Sequence, residues 1–137
     1  RSHRWDDWNL RVVNTRHTVQ NLGLRLEAGS PKKTFCYSGD GMFTPTASKL
    51  YTNSDLLVHE AYTLDGTVKN PRGETITIGT KTHCSIQQLE RLDDMARPKK
   101  MALIHVNRSL RDQKKDILKK YRQRRWIMPE PGDVIEL

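Results

Sequence analysis

One aspartate and three histidines of this chain stand at the ends of apolar runs or soon after them. Thr34-Phe35-Cys36-Tyr37 leads through Ser38-Gly39 into Asp40, and Asp55-Leu56-Leu57-Val58 leads into His59. Lys100-Met101-Ala102-Leu103-Ile104 leads into His105, and His83 lies between the second and third of these runs. Buried strands carry a chain to one edge of a sheet, where the first polar residue past each strand points into a shared crevice. Imidazole nitrogens and a carboxylate converging there suit zinc or a similar divalent ion. The spacing therefore points to a hydrolytic metal site, with Asp40, His59 and His105 expected at a common edge.

The elements that must position these residues follow from the pattern of apolar positions. Leu10–Thr15 and Leu22–Glu27 alternate as strands, Ala28-Gly29-Ser30-Pro31 is a turn, and Thr34–Tyr37 is the next strand. Thr46–Thr52 is a short helix candidate. Residues 65–82, with Gly66, Asn70-Pro71, Gly73 and Gly79, form a long polar connection of the kind that is often functional. Ile86, Leu89, Leu92 and Met95 recur at three-residue steps and predict a helix that Pro98 ends. A strand over 101–105 follows, then a basic helix over 110–124 with Ile117, Leu118 and Tyr121 as its apolar positions. Val134–Leu137 is expected as a last strand after the Pro129-Glu130-Pro131-Gly132 turn. Strands alternating with helices give an α/β layer structure.

At 137 residues the chain has room for one domain. Its hydrophobic content of 35% and mean hydropathy of -0.77 are low for a self-contained enzyme of this size, so another segment is expected to complete the apolar surface. The absence of an eighteen-residue apolar run excludes a helical membrane span from the expectation. A formal net charge of +8 favours anionic partners. Much of that charge falls between Arg108 and Arg125, a run that reads either as a solvated helix face or as a surface that tracks phosphates. Cys36 and Cys84 fit neither a disulfide framework nor a paired-thiol motif, and are expected as reduced, buried thiols of a cytoplasmic protein.

Several ordered motifs carry a resemblance. Ser38-Gly39-Asp40, Asp55 to Ala61, the His83-Cys84-Ser85 turn that opens a helix, and Leu103-Ile104-His105-Val106-Asn107-Arg108 resemble the metallo-β-lactamase superfamily. The likeness is nearest to the branch holding ribonuclease Z and related phosphodiesterases and arylsulfatases. The resemblance implies half of a four-layer αββα sandwich and two divalent metal ions, zinc first, with manganese or iron as alternatives. Asp40 matches the carboxylate that bridges both metals, His17 the histidine of the first metal site, and His105 the late histidine that completes the second. His59 and Glu60 match the His-Glu-Ala-Thr element, with Tyr62 where threonine is usual. His59 is then a supporting residue, and Glu60 orients His83, which resembles a proton donor to the leaving oxygen.

Two departures shape the functional expectation. The superfamily's His-x-His-x-Asp-His signature is not in this sequence, and one carboxylate with two histidines cannot fill two spheres of about four ligands each. The chain opens on Arg1-Ser2-His3 without an initiator Met, and residues 1–137 are expected to be the C-terminal portion of one domain whose N-terminal, metal-binding half is the first partner. Only twenty-two residues separate His17 from Asp40, where the tRNA-processing enzymes insert an arm. The expected function is a metal-dependent hydrolase acting on a phosphodiester or other ester, RNA included, with a homodimer as a further partner and no membrane. The alternatives are a sulfate or carboxylic ester hydrolase, or a metal-free nucleic-acid-binding module on the same fold.

Overall fold

A computed structural model of the chain describes residues 2–77 and 82–137. In chain order the elements are β1 (Ser2–Trp5), β2 (Trp8–Thr15), β3 (Asn21–Ala28), β4 (Lys33–Tyr37), α1 (Pro45–Leu50), β5 (Leu56–Glu60), β6 (Thr67–Lys69) and β7 (Thr75–Thr77). Then come α2 (Ile86–Ala96), β8 (Met101–Ile104), α3 (Arg108–Asp112), α4 (Lys114–Lys120), a 3-10 turn at 122–124, and β9 (Trp126–Ile127). Seven strands form one sheet in the order β1-β2-β3-β4-β5-β8-β9, while β6 and β7 pair apart as a hairpin. The sheet is antiparallel from β1 to β4 and parallel from β4 to β9. No helix among the described residues is long and apolar enough to cross a membrane.

Side chains alternate across a strand, so the sheet has two distinct faces. Cys36, Leu57, Met101 and Leu103 point to one face, where they join Ala47 and Leu50 of α1, Ile86, Leu89, Leu92 and Ala96 of α2, Leu110 of α3 and Ile117 of α4 in a single core. The opposite face carries Leu24, Leu26, Phe35, Tyr37, Val58 and Ile104, aligned across neighbouring strands as Leu24 with Tyr37, Leu26 with Phe35 and Tyr37 with Val58. These six are only partly buried. The buried apolar residues of all four helices lie in the first core, so one helical layer covers one side of the sheet. This is half of a four-layer sandwich.

Helix α2 begins with a capping box: Ser85 accepts from the backbone N–H of Gln88, whose side chain accepts in return from the N–H of Ser85. Its buried positions are Ile86, Leu89, Leu92 and Ala96, and Met95 is 53% exposed. At about 100° per residue, Met95 lies about 180° around the helix from Ile86. Strict three-residue steps drift off the buried stripe, and Ala96 takes the place expected for Met95.

Other expectations are corrected by backbone detail. The single basic helix over 110–124 is broken at Gln113, whose backbone sits at φ -92, ψ 6, and Arg125 in the left-handed region ends the 3-10 turn. The strand expected at Val134–Leu137 does not form. The edge of β8 is already paired by β9, in register Met101 with Trp126, and Val134 is 87% exposed. Strand β1 was not expected, because Ser2-His3-Arg4 offers no apolar alternation. It is held as a hairpin partner of β2 in register His3 with Leu10. The connection at 65–82 contains the β6–β7 hairpin, and its residues 78–81, Gly79 among them, lie outside the described residues.

Tyr51, which follows α1, lies over β3 and is fully buried. A Cβ at Gly23 would come within 2.0 Å of the Tyr51 hydroxyl oxygen and 3.0 Å of Thr15 Cγ2. That oxygen has no hydrogen-bond partner among the described residues. Gly23→Ala should therefore destabilise the protein by about 1–3 kcal/mol through overpacking. Tyr51→Phe should be neutral or stabilising, because it removes a buried, unsatisfied hydroxyl. The double variant should recover most of the loss, so a urea-unfolding cycle should show strong coupling. Simple additivity would mean that the hydroxyl is not what fills the space above Gly23.

Candidate metal centre

Three parallel strands deliver the site at their carboxyl ends. Past β4, Gly39 at φ 67 makes a turn in which a Cβ would lie 2.5 Å from Asn21 Oδ1 and 2.7 Å from the Leu22 carbonyl, so the position requires glycine. Asp40 follows, with its backbone N–H donating to Asn21 Oδ1. Glu60 is the last residue of β5 and is fully buried. Its Oε1 accepts from the N–H of Cys84 at 2.9 Å, and its Oε2 lies 2.7 Å from His83 Nδ1. His105, one residue past β8, takes a left-handed backbone at φ 50 and places Nδ1 2.6 Å from Asp40 Oδ1. One nitrogen or carboxylate oxygen from each of Asp40, Glu60, His83 and His105 lies within 4.8 Å of the others, close enough to share a metal ion.

Of the other residues expected from the sequence, His17 stands at the border and His59 points away. His17 Nε2 is 4.0 Å from Asp40 Oδ2, and its ring lies 5.2 Å from that of His83. His59 was expected at the same edge as Asp40 and His105. It instead lies inside β5, fully buried, with its ring toward Phe43 and Tyr51 on the helix-covered side. Period-two alternation explains this, because adjacent residues of a strand face opposite sides and Glu60 faces the cluster. The link from His59 to the site is a hydrogen bond from Nδ1–H to the Glu60 carbonyl at 2.9 Å.

Tyr62 stands where the resemblance has threonine, and its ring reaches the cluster. Its ring stacks on His83 with centroids 4.6 Å apart and 25° between planes, and it lies 5.4 Å from His105. It sits two residues beyond Glu60, and that spacing is the one sequence signal for its place beside the cluster. Tyr62 also begins a cavity of about 870 Å³ that runs between the β6–β7 hairpin and α3, with Thr67, Lys69, Asn107 and Arg108 in its walls.

The electrostatics of the cluster divide its two carboxylates. Glu60 is pushed up to about 8, first by burial and then by the hydrogen bond and charge of Asp40, against the opposing N–H of Cys84. At Asp40 burial works in the same direction, but hydrogen bonds from Glu60 and His105 and the charge of His105 and His83 outweigh it, and the pKa falls. The pair thus holds one proton between two carboxyl groups near neutral pH. A divalent cation replaces such a proton, and two imidazoles with two carboxylates form a donor set that fits zinc or manganese. Burial pushes the Cys36 and Cys84 thiols up to about 11 and about 12, which removes both as nucleophiles at neutral pH.

Burial lowers His59 to about 4 from its ordinary 6.5. The unfolded chain takes up this proton as pH falls through 6.5, while the folded protein resists until about 4. The His59 contribution is whole above pH 6.5 and is lost as pH falls toward 4, by on the order of 3 kcal/mol. Glu60 acts in the opposite sense, with stability lost as pH rises from 4.5 toward about 8. His59→Gln should flatten the His59 part alone, so the difference between the two stability curves should grow between pH 6.5 and 4. Parallel curves from chemical denaturation would show that His59 is not a buried neutral imidazole.

No protein-family model and no curated protein sequence matches the chain. Solved structures do match. The chain superposes on human tRNase Z, short form, with a TM-score of 0.70 at 17% identity, over 98% of this chain and 45% of that one. Zinc-bound PqqB from Methylobacterium extorquens matches with a TM-score of 0.68 at 15% identity, over 100% of this chain and 53% of that one. Isothiocyanate hydrolase from Delia radicum gut bacteria matches with a TM-score of 0.66 at 12% identity, over 99% and 57%. The chain spans about half the length of these structures. Its sheet and its single helical layer are about half of a metallo-β-lactamase fold.

Proposed function

We propose that this chain carries part of the catalytic centre of a metal-dependent hydrolase that cleaves a phosphodiester or a related ester. The observation that supports this most is the convergence of Asp40, Glu60, His83 and His105 within 4.8 Å at the carboxyl ends of parallel strands. Asp40 and His105 would hold a divalent cation, with Asp40 placed to share a second ion with His17, 4.0 Å away. A cation there supplies Lewis acidity and a nucleophilic water at neutral pH. Zinc suits the donor set first, and manganese or iron second.

The chain's own residues account for the proton and for orientation. With positive charge in the cluster Glu60 ionises, because a cation reverses the effect of burial on a carboxyl group. Its Oε2 then accepts Nδ1–H of His83, which fixes the tautomer and leaves Nε2 as the nitrogen that hands a proton to the leaving alkoxide. Tyr62, stacked on the His83 ring, restrains its tilt. The cavity beside Tyr62 and Arg108 is the natural place for the rest of the substrate. Between His17 and Asp40 the chain forms only β3, β4 and their connections, with no arm to grip a tRNA, so a general phosphodiester fits better than tRNA 3′ processing.

Asp40, His105 and His17 fall short of two complete spheres, and the second face of the sheet lies half covered. Both features fit a second half-domain that packs on Leu24, Leu26, Phe35, Tyr37, Val58 and Ile104 and brings the remaining ligands. Loss of activity in either half alone, with recovery on mixing, would agree with this reading.

In the complete protein, Asp40→Ala should lower metal content more than His59→Ala, since the first removes a ligand and the second only a contact to the Glu60 carbonyl. Equal loss in the two variants, measured by elemental analysis, would overturn these roles. His83→Ala should slow a diester with an alkyl alkoxide leaving group by about 10²–10⁴-fold, and one that releases nitrophenolate far less. Equal slowing of the two would remove His83 as the acid, and loss of metal would make it a ligand.

A further inference from the structure

Parallel strands β8 and β9 have a second end. The metal centre lies past the carboxyl end of β8, while Pro98-Lys99 and Arg125 enter the strands at their amino ends. The five residue steps from Lys100 to His105 separate the two edges by about 16 Å. At the amino edge a cavity of about 760 Å³ opens between the end of α2 and the turn that follows α4. Six cationic side chains line it, against Asp93 and Asp94. Both carboxylates are already taken by Arg124, whose Nη1 is 2.9 Å from Asp93 and 2.7 Å from Asp94. Lys99 is held by Asp55 at 2.8 Å.

Four cations remain: Arg97, Lys120, Arg122 and Arg125. All are exposed, and among the described residues none has a carboxylate within ion-pair distance. Arg97 and Arg125 moreover occupy left-handed backbone, at φ 50 and 56. Glycine is the residue that adopts this conformation without strain, so at both turns a guanidinium stands where the backbone alone favours no side chain. Lys120 rests its ammonium over the Tyr121 ring, 4.8 Å from the centroid, which leaves the three guanidinium groups as the cations with no such contact, and cations that share one concavity repel one another until an anion with several charges enters. The aromatic ring in the lining, Tyr121, is buried and stacked on Trp126 at 4.7 Å, so it offers no face to a nucleobase. Charge without a free stacking face favours contacts to the phosphate backbone over contacts to the bases.

We propose that this cavity binds the phosphodiester backbone of a nucleic-acid strand, without sequence preference, as a docking site separate from the metal centre. Concavity favours a strand over the flat surface of a bilayer, and several cations in one cavity suit a polyanion better than one small anion. The inference stands on this edge alone and does not require the hydrolase reading.

The test is polarisation of a labelled single-stranded RNA, about twenty nucleotides of mixed sequence, across a salt series with the complete protein. Four phosphate contacts contribute about -3 to the slope of log affinity against log salt. Combined Arg97→Ala, Arg122→Ala and Arg125→Ala should reduce the slope by about 2 and the affinity by about tenfold or more at moderate salt. Arg→Lys at the same three positions keeps the charge and should bind within about threefold. Lys115→Ala with Lys119→Ala removes exposed charge of α4 outside the cavity and should shift the affinity by less than about twofold. Equal losses in the two alanine variants would reduce the effect to net charge and overturn the site. Tighter binding of phosphatidylserine vesicles or polyglutamate than of RNA would also overturn it, in favour of a membrane or an acidic protein. Metal content and hydrolysis of a small diester are not read in this assay, so its failure leaves the metal centre untouched.

Discussion

The candidate site depends on a carboxyl group that water cannot reach. Glu60 is fully buried at the end of β5, and its two oxygens tie the sheet to the loop that opens α2: one accepts the N–H of Cys84 and the other meets His83. A buried carboxyl group without such partners would cost several kcal/mol. Here the partners also aim the chemistry. His83 is held by the same oxygen that approaches His105 at 3.5 Å, and Asp40 closes the group from β4. Removing the Glu60 carboxyl would therefore loosen the loop before α2 together with the cluster, because one hydrogen-bonded group serves both.

The backbone accepts strain to build this arrangement. His105 adopts φ 50 immediately after β8, a conformation that β-carbon sterics disfavour. An extended His105 would continue the strand and carry its imidazole away from Asp40. Gly39 makes the matching turn after β4 where no side chain fits. Non-glycine residues in this region cost on the order of 1–3 kcal/mol and persist where the surroundings over-determine them. At His105 the surroundings are Asp40, Tyr62 and the capped start of α3, where Asn107 accepts from the N–H of Leu110.

Much of this was legible in the sequence, and each miss has its own physical cause. The strands that end near Asp40 and His105 could be read because their apolar runs are short, continuous and bounded by polar residues. The start of α2 could be read from the His83-Cys84-Ser85 turn and the periodic apolar run that follows it. His59 was misplaced because the end of an apolar run does not tell which of two adjacent polar residues continues the buried alternation, and His59 proved to be core while Glu60 faced the site. Met95 was misplaced by counting threes along a helix of 3.6 residues per turn. Strand β1 and the loss of a strand at 134–137 depend on which sheet edge is free, a tertiary fact that local pattern does not hold. The role of Tyr62 became visible only when its ring was seen against His83.

Separation of charge along the strands is the last constraint. A cluster that concentrates two carboxylates and two imidazoles for a cation would be weakened by guanidinium groups nearby, since like charges in a poorly solvated site repel strongly. The unpaired cations at the amino ends of β8 and β9 stand about 16 Å from it, beyond the Debye length of about 8 Å at physiological salt. They are close enough for one long polyanion to touch both edges, yet too far for their charge to compete with a metal ion. The length of a short parallel strand therefore sets how far these four cations stand from a site suited to a divalent cation.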